Sequence, residues 1–231
     1  MSVPFEQPRQ KLHRAESHIR SLEAAIERYF RTNWHACQFG RSPNGQYSLE
    51  VAIRGQPEDF GLIVGDAVHN LRTALDLLAV GVVGRNGGST KGVYFPFADS
   101  AGNLESMIAR RNFDRASVAD QDLLKSLRPY IGGNVLLRSL HDLDIQDKHH
   151  CLIPHASLIT SPNVRVKTDA MGAPIGFADG KPELEVGPNE TPKVKFTFPR
   201  DSVFSGEEVL EILWQLHEHV TSIVDRFAGT T

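Results

Sequence analysis

The sequence predicts an α+β fold, mainly a helical bundle with a small appended antiparallel sheet. In several long segments the apolar residues recur at spacings of three and four, which is typical of helices with one buried face. In residues 46–54 and 151–200 they alternate instead, which is typical of half-buried strands. The chain has 231 residues, and domains usually contain about 100–200. We therefore expect a single domain over residues 1–231.

The helical part is expected over residues 8–148, and its first helix over residues 8–30. An apolar stripe at helical spacing marks this helix, formed by Leu12, Ala15, Ile19, Leu22 and Ile26. The segment 46–54 follows a turn signal at Ser42-Pro43-Asn44-Gly45 and is predicted to be a strand. Because a lone strand needs a partner and none is evident nearby, we expect it to pair with the later strands.

The middle of the chain is predicted to be helical. The predicted helices cover residues 60–83, 104–110, 118–128 and 135–148. The glycine-rich residues 84–92 lack the order of a phosphate-binding loop and follow a helix rather than a strand, so we interpret them as a connection.

The last part of the chain changes from strands to a helix. Residues 151–200 are expected to be rich in strands, with alternating pairs such as Val164 and Val166. Ser205-Gly206-Glu207-Glu208 matches a capping box, which predicts a final helix over residues 206–228 packing back on the bundle. The terminal helices carry wide apolar stripes, and this favours a homodimer.

Composition limits the classes of function. The 25 basic and 28 acidic residues give a formal charge of −3, so no overall positive field recruits nucleic acid or an anionic membrane. The two cysteines, Cys37 and Cys151, have no paired-cysteine motif, so a zinc cage or a disulfide scaffold is not expected. The first thirty residues are rich in charge and hold no apolar signal-peptide core. We expect a cytoplasmic protein that does not bind membranes.

Two of the predicted helices carry ionisable residues next to their apolar stripes. In the helix over 60–83 these residues are Asp66, His69, Arg72, Thr73 and Asp76. In the helix over 135–148 they are His141, Asp144 and Lys148. Residues three or four apart lie on one face of a helix. If the two stripes pack together, the two ionisable rows meet across the helix–helix seam.

This seam allows three interpretations. In the first, it holds one divalent metal (Zn, Mn, Fe or Ni) and the protein is a metal-dependent hydrolase. The expected ligands are His69, Asp76, His141 and Asp144, and the expected electrophilic support is Arg72 or Lys148. In the second, no metal is present and a histidine acts as acid or base on a phosphodiester, while Arg72 or Lys148 stabilises the developing phosphate charge.

In the third interpretation nothing reacts, and the seam only fixes how the helices dock. Arg72 would then pair with Asp144, and Asp76 with Lys148. The protein would be a non-catalytic interaction protein.

Three motifs resemble a family of bacterial proteins that has no assigned function. They are G-D-x-x-H-N-L-R-x-A-L-D at 65–76, L-x-P-Y at 127–130 and L-x-x-L-D-x-x-D-K-H at 140–149. The positions that match include five residues selected above by spacing, namely His69, Arg72, Asp76, Asp144 and Lys148, and also Asn70, Asp147 and His149. The resemblance implies no particular activity.

The same helices are similar, more distantly, to HEPN-type helical domains. That similarity implies an RNA-binding or RNA-cleaving module, in which His149 joins Arg72 and Lys148 as a candidate catalytic residue. The expected partner is therefore either a small-molecule substrate or RNA.

Overall fold

The computed structural model confirms a mainly helical α+β protein. It describes residues 5–32, 34–41, 47–53, 59–149, 152, 154–160, 164–166, 169–171, 177–178, 181–182, 184–186 and 193–229. The helices in these ranges are α1 (Glu6–Phe30), α2 (Asp59–Arg85), α3 (Leu104–Arg110), α4 (Val118–Ser126), α5 (Val135–His149) and α6 (Val209–Ala228). Every predicted helix is present.

The chain divides into two compact units. The first comprises Met1–Ala25, Glu58–Pro154 and Thr197–Thr231, and the second comprises Ile26–Pro57 and His155–Phe196. Helices α2 to α6 belong to the first unit, which therefore contains both ionisable rows. That the chain forms one domain stays a prediction.

Helix α2 is the centre of the first unit. It contacts both α5 and α6, and its buried residues are spread around most of its circumference rather than along one stripe. The reason is its composition, since small and apolar residues such as Ala67, Ala74 and Ala79 let neighbouring helices approach from several sides.

The start of α6 differs from the prediction. The capping box at residues 205–208 does not form, because the N-cap is Glu208 and no side chain caps the helix. The backbone of Glu207 and Gly206 instead exchanges hydrogen bonds with Phe198, and Glu208 forms a bridge with Thr197. These backbone hydrogen bonds keep the segment out of the helix, so α6 begins at Val209 rather than at residue 206.

The strands of the second unit form small antiparallel pairs. They are β1 (His35–Arg41), β2 (Tyr47–Ile53), β3 (His155–Thr160), β4 (Val164–Val166), β5 (Phe177–Ala178), β6 (Lys181–Pro182), β7 (Leu184–Val186) and β8 (Lys193–Thr197). The pairs within the described ranges are β1 with β2, β3 with β8, β4 with β7, and β5 with β6. The predicted strands at 164–166, 184–186 and 194–198 correspond to β4, β7 and β8.

The prediction that the strand at 46–54 pairs with the later strands is wrong. Among the described residues, β2 pairs with β1 over seven positions, from His35 opposite Ile53 to Arg41 opposite Tyr47. No strand was predicted before the turn, because the alternation there is short, with only Cys37 and Phe39 as apolar residues on one face. The turn signal at 42–45 lies outside the described residues.

The apolar stripes of the terminal helices are covered within one chain. Leu12, Ala15, Ile19 and Leu22 of α1 are at most 5% exposed, and the corresponding residues of α6 are equally buried. A homodimer is therefore not needed to cover these stripes, and it stays a prediction.

Candidate acid–base site

The two ionisable rows face each other across the seam between α2 and α5. Arg72 reaches His141, His69 reaches Asp144, and the backbone of Gly65 lies against Asp147. Residue numbers fall along α5 as they rise along α2, so the two helices run antiparallel. The predicted juxtaposition is confirmed, and the spacings of three and four on each helix are its cause.

One end of the seam, which we call the outer end, consists of His69, Asp144 and Lys148. The Nδ1 of His69 lies 3.0 Å from Oδ1 of Asp144, and Nζ of Lys148 lies 2.5 Å from Oδ2 of the same carboxylate. The side chain of Asp144 is 5% exposed, whereas those of His69 and Lys148 are each 55% exposed. A buried carboxylate therefore holds two solvent-facing groups that carry or accept protons.

The chemistry of these contacts assigns the tautomer of His69. An ionised carboxylate can only accept hydrogen bonds, so Nδ1 of His69 carries the proton that Asp144 accepts. The lone pair of the neutral ring is then on Nε2. The Nε2 atom is thus the proton acceptor of the outer end.

The other end, the inner end, consists of Arg72, Asp76 and His141, covered by Phe97. The Nε of Arg72 donates to Nδ1 of His141 at 3.4 Å, and its Nη1 lies 2.7 Å from Oδ1 of Asp76. Asp76 also accepts a hydrogen bond from the backbone of Phe95 at 2.9 Å. Each residue at this end has at least one partner in the protein, although Nη1 of Arg72 contacts Asp76 as an ion pair without hydrogen-bond geometry.

Phe97 shields the inner end from water. Its ring stacks on His141 with centroids 4.5 Å apart and planes 4° from parallel, and the guanidinium of Arg72 lies 4.7 Å from its centroid. Burial, followed by the positive charges of Arg72 and Arg138, lowers the pKa of His141 to about 4. His141 is therefore neutral at physiological pH and accepts the hydrogen bond from Arg72.

Asp147 continues the seam beyond the outer end. Its carboxylate lies so close to Gly65 that a Cβ on residue 65 would be 2.5 Å from both of its oxygens. Burial raises the pKa of Asp147, the backbone of Leu152 opposes that shift, and the negative charges of Asp144 and Asp66 add to it. In the sequence Asp147 stands out only as part of the motif at 140–149. The glycine at position 65 of the other motif is the signal that α5 approaches α2 closely here.

The predicted ion pairs across the seam do not form. Arg72 pairs with Asp76 rather than with Asp144, and Lys148 pairs with Asp144 rather than with Asp76. Both observed pairs join residues four apart on one helix, where the side chains are neighbours before the helices dock. The histidines provide the contacts between the helices instead.

The four predicted metal ligands fall into separate groups. His69 contacts Asp144 at the outer end, while His141 and Asp76 each contact Arg72 at the inner end. No cluster of three or more histidine, cysteine or acidic side chains placed to hold a metal occurs within the described ranges. Arg72 and Lys148 already neutralise the carboxylates that a metal would bind. The metal site stays a prediction that this arrangement does not support.

His149 is the remaining predicted site residue, and Arg138 is a further basic residue of α5. His149 is exposed in the last turn of α5, next to Lys148. Arg138 forms two hydrogen bonds with Asp142, at 2.8 and 3.2 Å, and a third with the carbonyl of Ala98. Phe97 was not predicted to be part of the site, because it lies in an irregular segment after the glycine-rich loop and no helical spacing connects it to the seam.

Comparisons with protein-family models, with curated proteins and with solved structures each gave no match. The two family resemblances therefore stay expectations. Within the part of the chain that the structure describes, no helix has the length and apolar character needed to cross a membrane.

Proposed function

We propose that this protein is a metal-independent hydrolase in which His69 is the general acid and base. One observation carries the proposal: an almost fully buried carboxylate, Asp144, holds a histidine whose ring reaches solvent. A histidine oriented by a carboxylate through Nδ1 is the arrangement that hydrolases use to move protons at Nε2. The direction of the Nδ1 hydrogen bond, argued above, supports Nε2 as the reacting nitrogen.

Each residue of the outer end has a distinct role in the proposal. His69 removes a proton from the attacking group and later gives it to the leaving group. Asp144 stabilises the imidazolium formed between these two steps. Lys148 offsets the charge of Asp144, and its exposed ammonium provides a cation for an oxygen that gains negative charge.

The charges around the outer end favour a small, uncharged ester as substrate. Asp66, one turn before His69 on α2, is 65% exposed, and Asp147 lies one turn away on α5. These carboxyl groups repel a phosphate dianion or a nucleic-acid backbone. A neutral carboxylic ester becomes anionic only in the transition state, where Lys148 can stabilise it.

The inner end supports the structural interpretation for its own residues. Arg72 is 11% exposed and is engaged by Asp76, His141 and Phe97, so it is not available to a substrate. We assign it to helix docking rather than to catalysis. The hydrolase proposal concerns only the outer end.

RNA cleavage uses different groups and gives a different result in the same experiment. Arg138 is occupied by Asp142, which leaves Lys148 and His149 as the exposed basic pair on α5. If RNA is the substrate, cleavage of RNA and not of esters will depend on His149. We regard that outcome as evidence against the ester hydrolase.

The test is hydrolysis of p-nitrophenyl esters by the full chain in excess EDTA, with bis-p-nitrophenyl phosphate and RNA as parallel substrates. We expect ester hydrolysis that survives EDTA and falls about 100-fold or more in His69→Gln. Asp144→Asn should also lower it, because the amide can donate to Nδ1 and favour the wrong tautomer. The matched control is His13→Gln, which replaces an exposed histidine of α1.

Three results would overturn the proposal. The first is ester hydrolysis equal in wild type and His69→Gln. The second is loss of activity in EDTA with recovery on adding Zn²⁺ or Mn²⁺, which would favour the metal-dependent hydrolase. The third is the absence of hydrolysis of any ester series tested.

A further inference from the structure

A hydroxyl group lies next to the reacting nitrogen of His69. Thr73 is one turn further along α2, and its Oγ1 lies 3.5 Å from Nε2 of His69. Nδ1 of the same ring lies 3.0 Å from Asp144. Hydroxyl, imidazole and carboxylate thus form one continuous chain, with the imidazole in the middle.

The hydroxyl of Thr73 differs from three other hydroxyls in α1 and α6. Ser17, Ser21 and Thr221 each donate to the backbone carbonyl four residues earlier, which is the ordinary position for a helical hydroxyl. Thr73 has its contact with the imidazole instead. Because Nε2 carries the lone pair, the hydroxyl is the donor and the ring the acceptor.

We infer that Thr73 is the nucleophile of the outer end. The inference rests on the proposed function, in which His69 is the base. A nucleophile, a base and a group that orients the base are the three parts of covalent catalysis, and contacts in an unliganded site are often looser than 3.2 Å. The observed contact of 3.5 Å is in that range.

The reaction proceeds in two balanced steps. In the first, the Oγ1 of Thr73 attacks the carbonyl carbon of the ester while its proton passes to Nε2 of His69. The C–O bond to the alcohol then breaks, the alcohol leaves with the proton from His69, and the acyl group stays on Thr73. In the second, water attacks the acyl-threonine, His69 takes a proton from that water and returns it to Oγ1, and the acid is released. No oxidant, reductant or metal takes part.

A hydroxyl that only orients His69 would be expected to occupy the same position, so the test must detect the covalent bond itself. A fluorophosphonate ester is suitable, because it reacts with an activated hydroxyl to form a P–O bond and release fluoride. It does not require the natural substrate. Intact-mass measurement and peptide mapping then identify the modified residue.

We expect one adduct per chain, located on Thr73. The labelling rate should fall about 100-fold or more in His69→Gln, because the base is lost. Thr73→Ser should still be labelled, whereas Thr73→Val, which keeps the shape and loses the hydroxyl, should not. Thr221→Val is the matched control, since its hydroxyl is bound to a backbone carbonyl, and its labelling should equal that of wild type.

Different results separate the failure of this inference from the failure of the proposed function. If Thr73→Val hydrolyses esters at the wild-type rate while His69→Gln does not, water is the nucleophile and only the inference is wrong. If wild type is not labelled on Thr73, the inference is also wrong. If wild type shows no ester hydrolysis that depends on His69, the proposed function itself is wrong. If Thr73→Val fails to fold, Thr73→Ser still tests the inference, because its label should map to residue 73.

Discussion

The two ends of the α2–α5 seam contain the same kinds of residue in different environments. Each end has one histidine that contacts the opposite helix, and each has a carboxylate paired with a cation four residues away on its own helix. At the inner end the cation, Arg72, is 11% exposed, whereas at the outer end Lys148 and His69 are each 55% exposed. The comparison teaches that residue type and spacing identify the seam, but access to solvent decides which part of it can meet a substrate.

The position of the aromatic rings explains the difference in access. Phe97 stacks on His141 and contacts Arg72, so both lose water on folding. This desolvation is the largest cause of the low pKa of His141. At the outer end it is the carboxylate, Asp144, that is buried, while the groups it holds remain in water. We therefore assign stability to the inner end and chemistry to the outer end.

The largest expected effect is on folding, from loss of the inner cation. Arg72→Met should lower the free energy of unfolding by about 3 kcal/mol or more, because it leaves Asp76 without its charge partner and removes the contact to His141. His69→Gln should change it by about 1 kcal/mol or less, because the glutamine amide can still donate to Asp144 and Lys148 still pairs with that carboxylate. Urea denaturation followed by circular dichroism measures both.

A matched control separates burial from the loss of an arginine. Arg31→Met removes an arginine that also pairs with a glutamate four residues away, but both side chains are at least 70% exposed. We expect a change below about 0.5 kcal/mol. If Arg72→Met lowers the free energy of unfolding by no more than Arg31→Met does, burial of the inner end does not contribute to stability.

Local spacing made the helices and the seam predictable. Stripes at spacings of three and four located α1 to α6 within a few residues, and the ionisable rows beside them placed His69 next to Asp144. These features depend on residues close together in sequence, which is the information that periodicity contains.

Features that depend on distant residues could not be predicted. Phe97 covers His141 although more than forty positions separate them, and no local pattern encodes that contact. The first turn of α6 was predicted from a valid capping motif, but backbone hydrogen bonds to Phe198 overrode it. The sequence could not decide whether Arg72 pairs with Asp76 or with Asp144, because each of the two helices has a carboxylate within reach of Arg72.

A smaller effect is expected from the pH dependence of the inner histidine. The pKa of His141 is about 4 in the folded protein and 6.5 for an unperturbed histidine. The unfolded chain therefore binds the extra proton first, and stability falls as pH decreases from about 6.5 to about 4. In His141→Phe, which keeps a ring to stack on Phe97, this dependence should be smaller by about 1 to 2 kcal/mol, since solvent screens the half-buried ring.

The measurement is the free energy of unfolding of wild type and His141→Phe at each pH. Asp147, whose pKa is raised, titrates in both proteins and cancels in the difference. The charged groups that act on His141 are Arg72, Arg138, Asp142 and Asp144, and these are also common to both proteins. Parallel curves for the two proteins between pH 4 and pH 6.5 would mean that His141 is not desolvated, and the inner end would then resemble the outer one.

The smallest expected effect concerns the backbone contact that sets the spacing of the seam. In Gly65→Ala the new methyl would lie 2.5 Å from the carboxylate of Asp147, so that side chain must move, whereas in Gly84→Ala on the same helix the nearest contact is an ordinary 3.4 Å. Alanine favours a helix over glycine by about 1 kcal/mol. We therefore expect Gly84→Ala to raise the free energy of unfolding by up to that amount. The free energy of unfolding of Gly65→Ala should be about 1 to 2 kcal/mol lower than that of Gly84→Ala. Calorimetric unfolding of the two variants measures the difference.

Because Asp147 lies beyond the outer end, the displacement of its side chain in Gly65→Ala should also lower His69-dependent ester hydrolysis while leaving the inner end intact. Equal stability and equal hydrolysis in the two variants would show that the close approach of α5 to Gly65 has no role in holding the outer end in place.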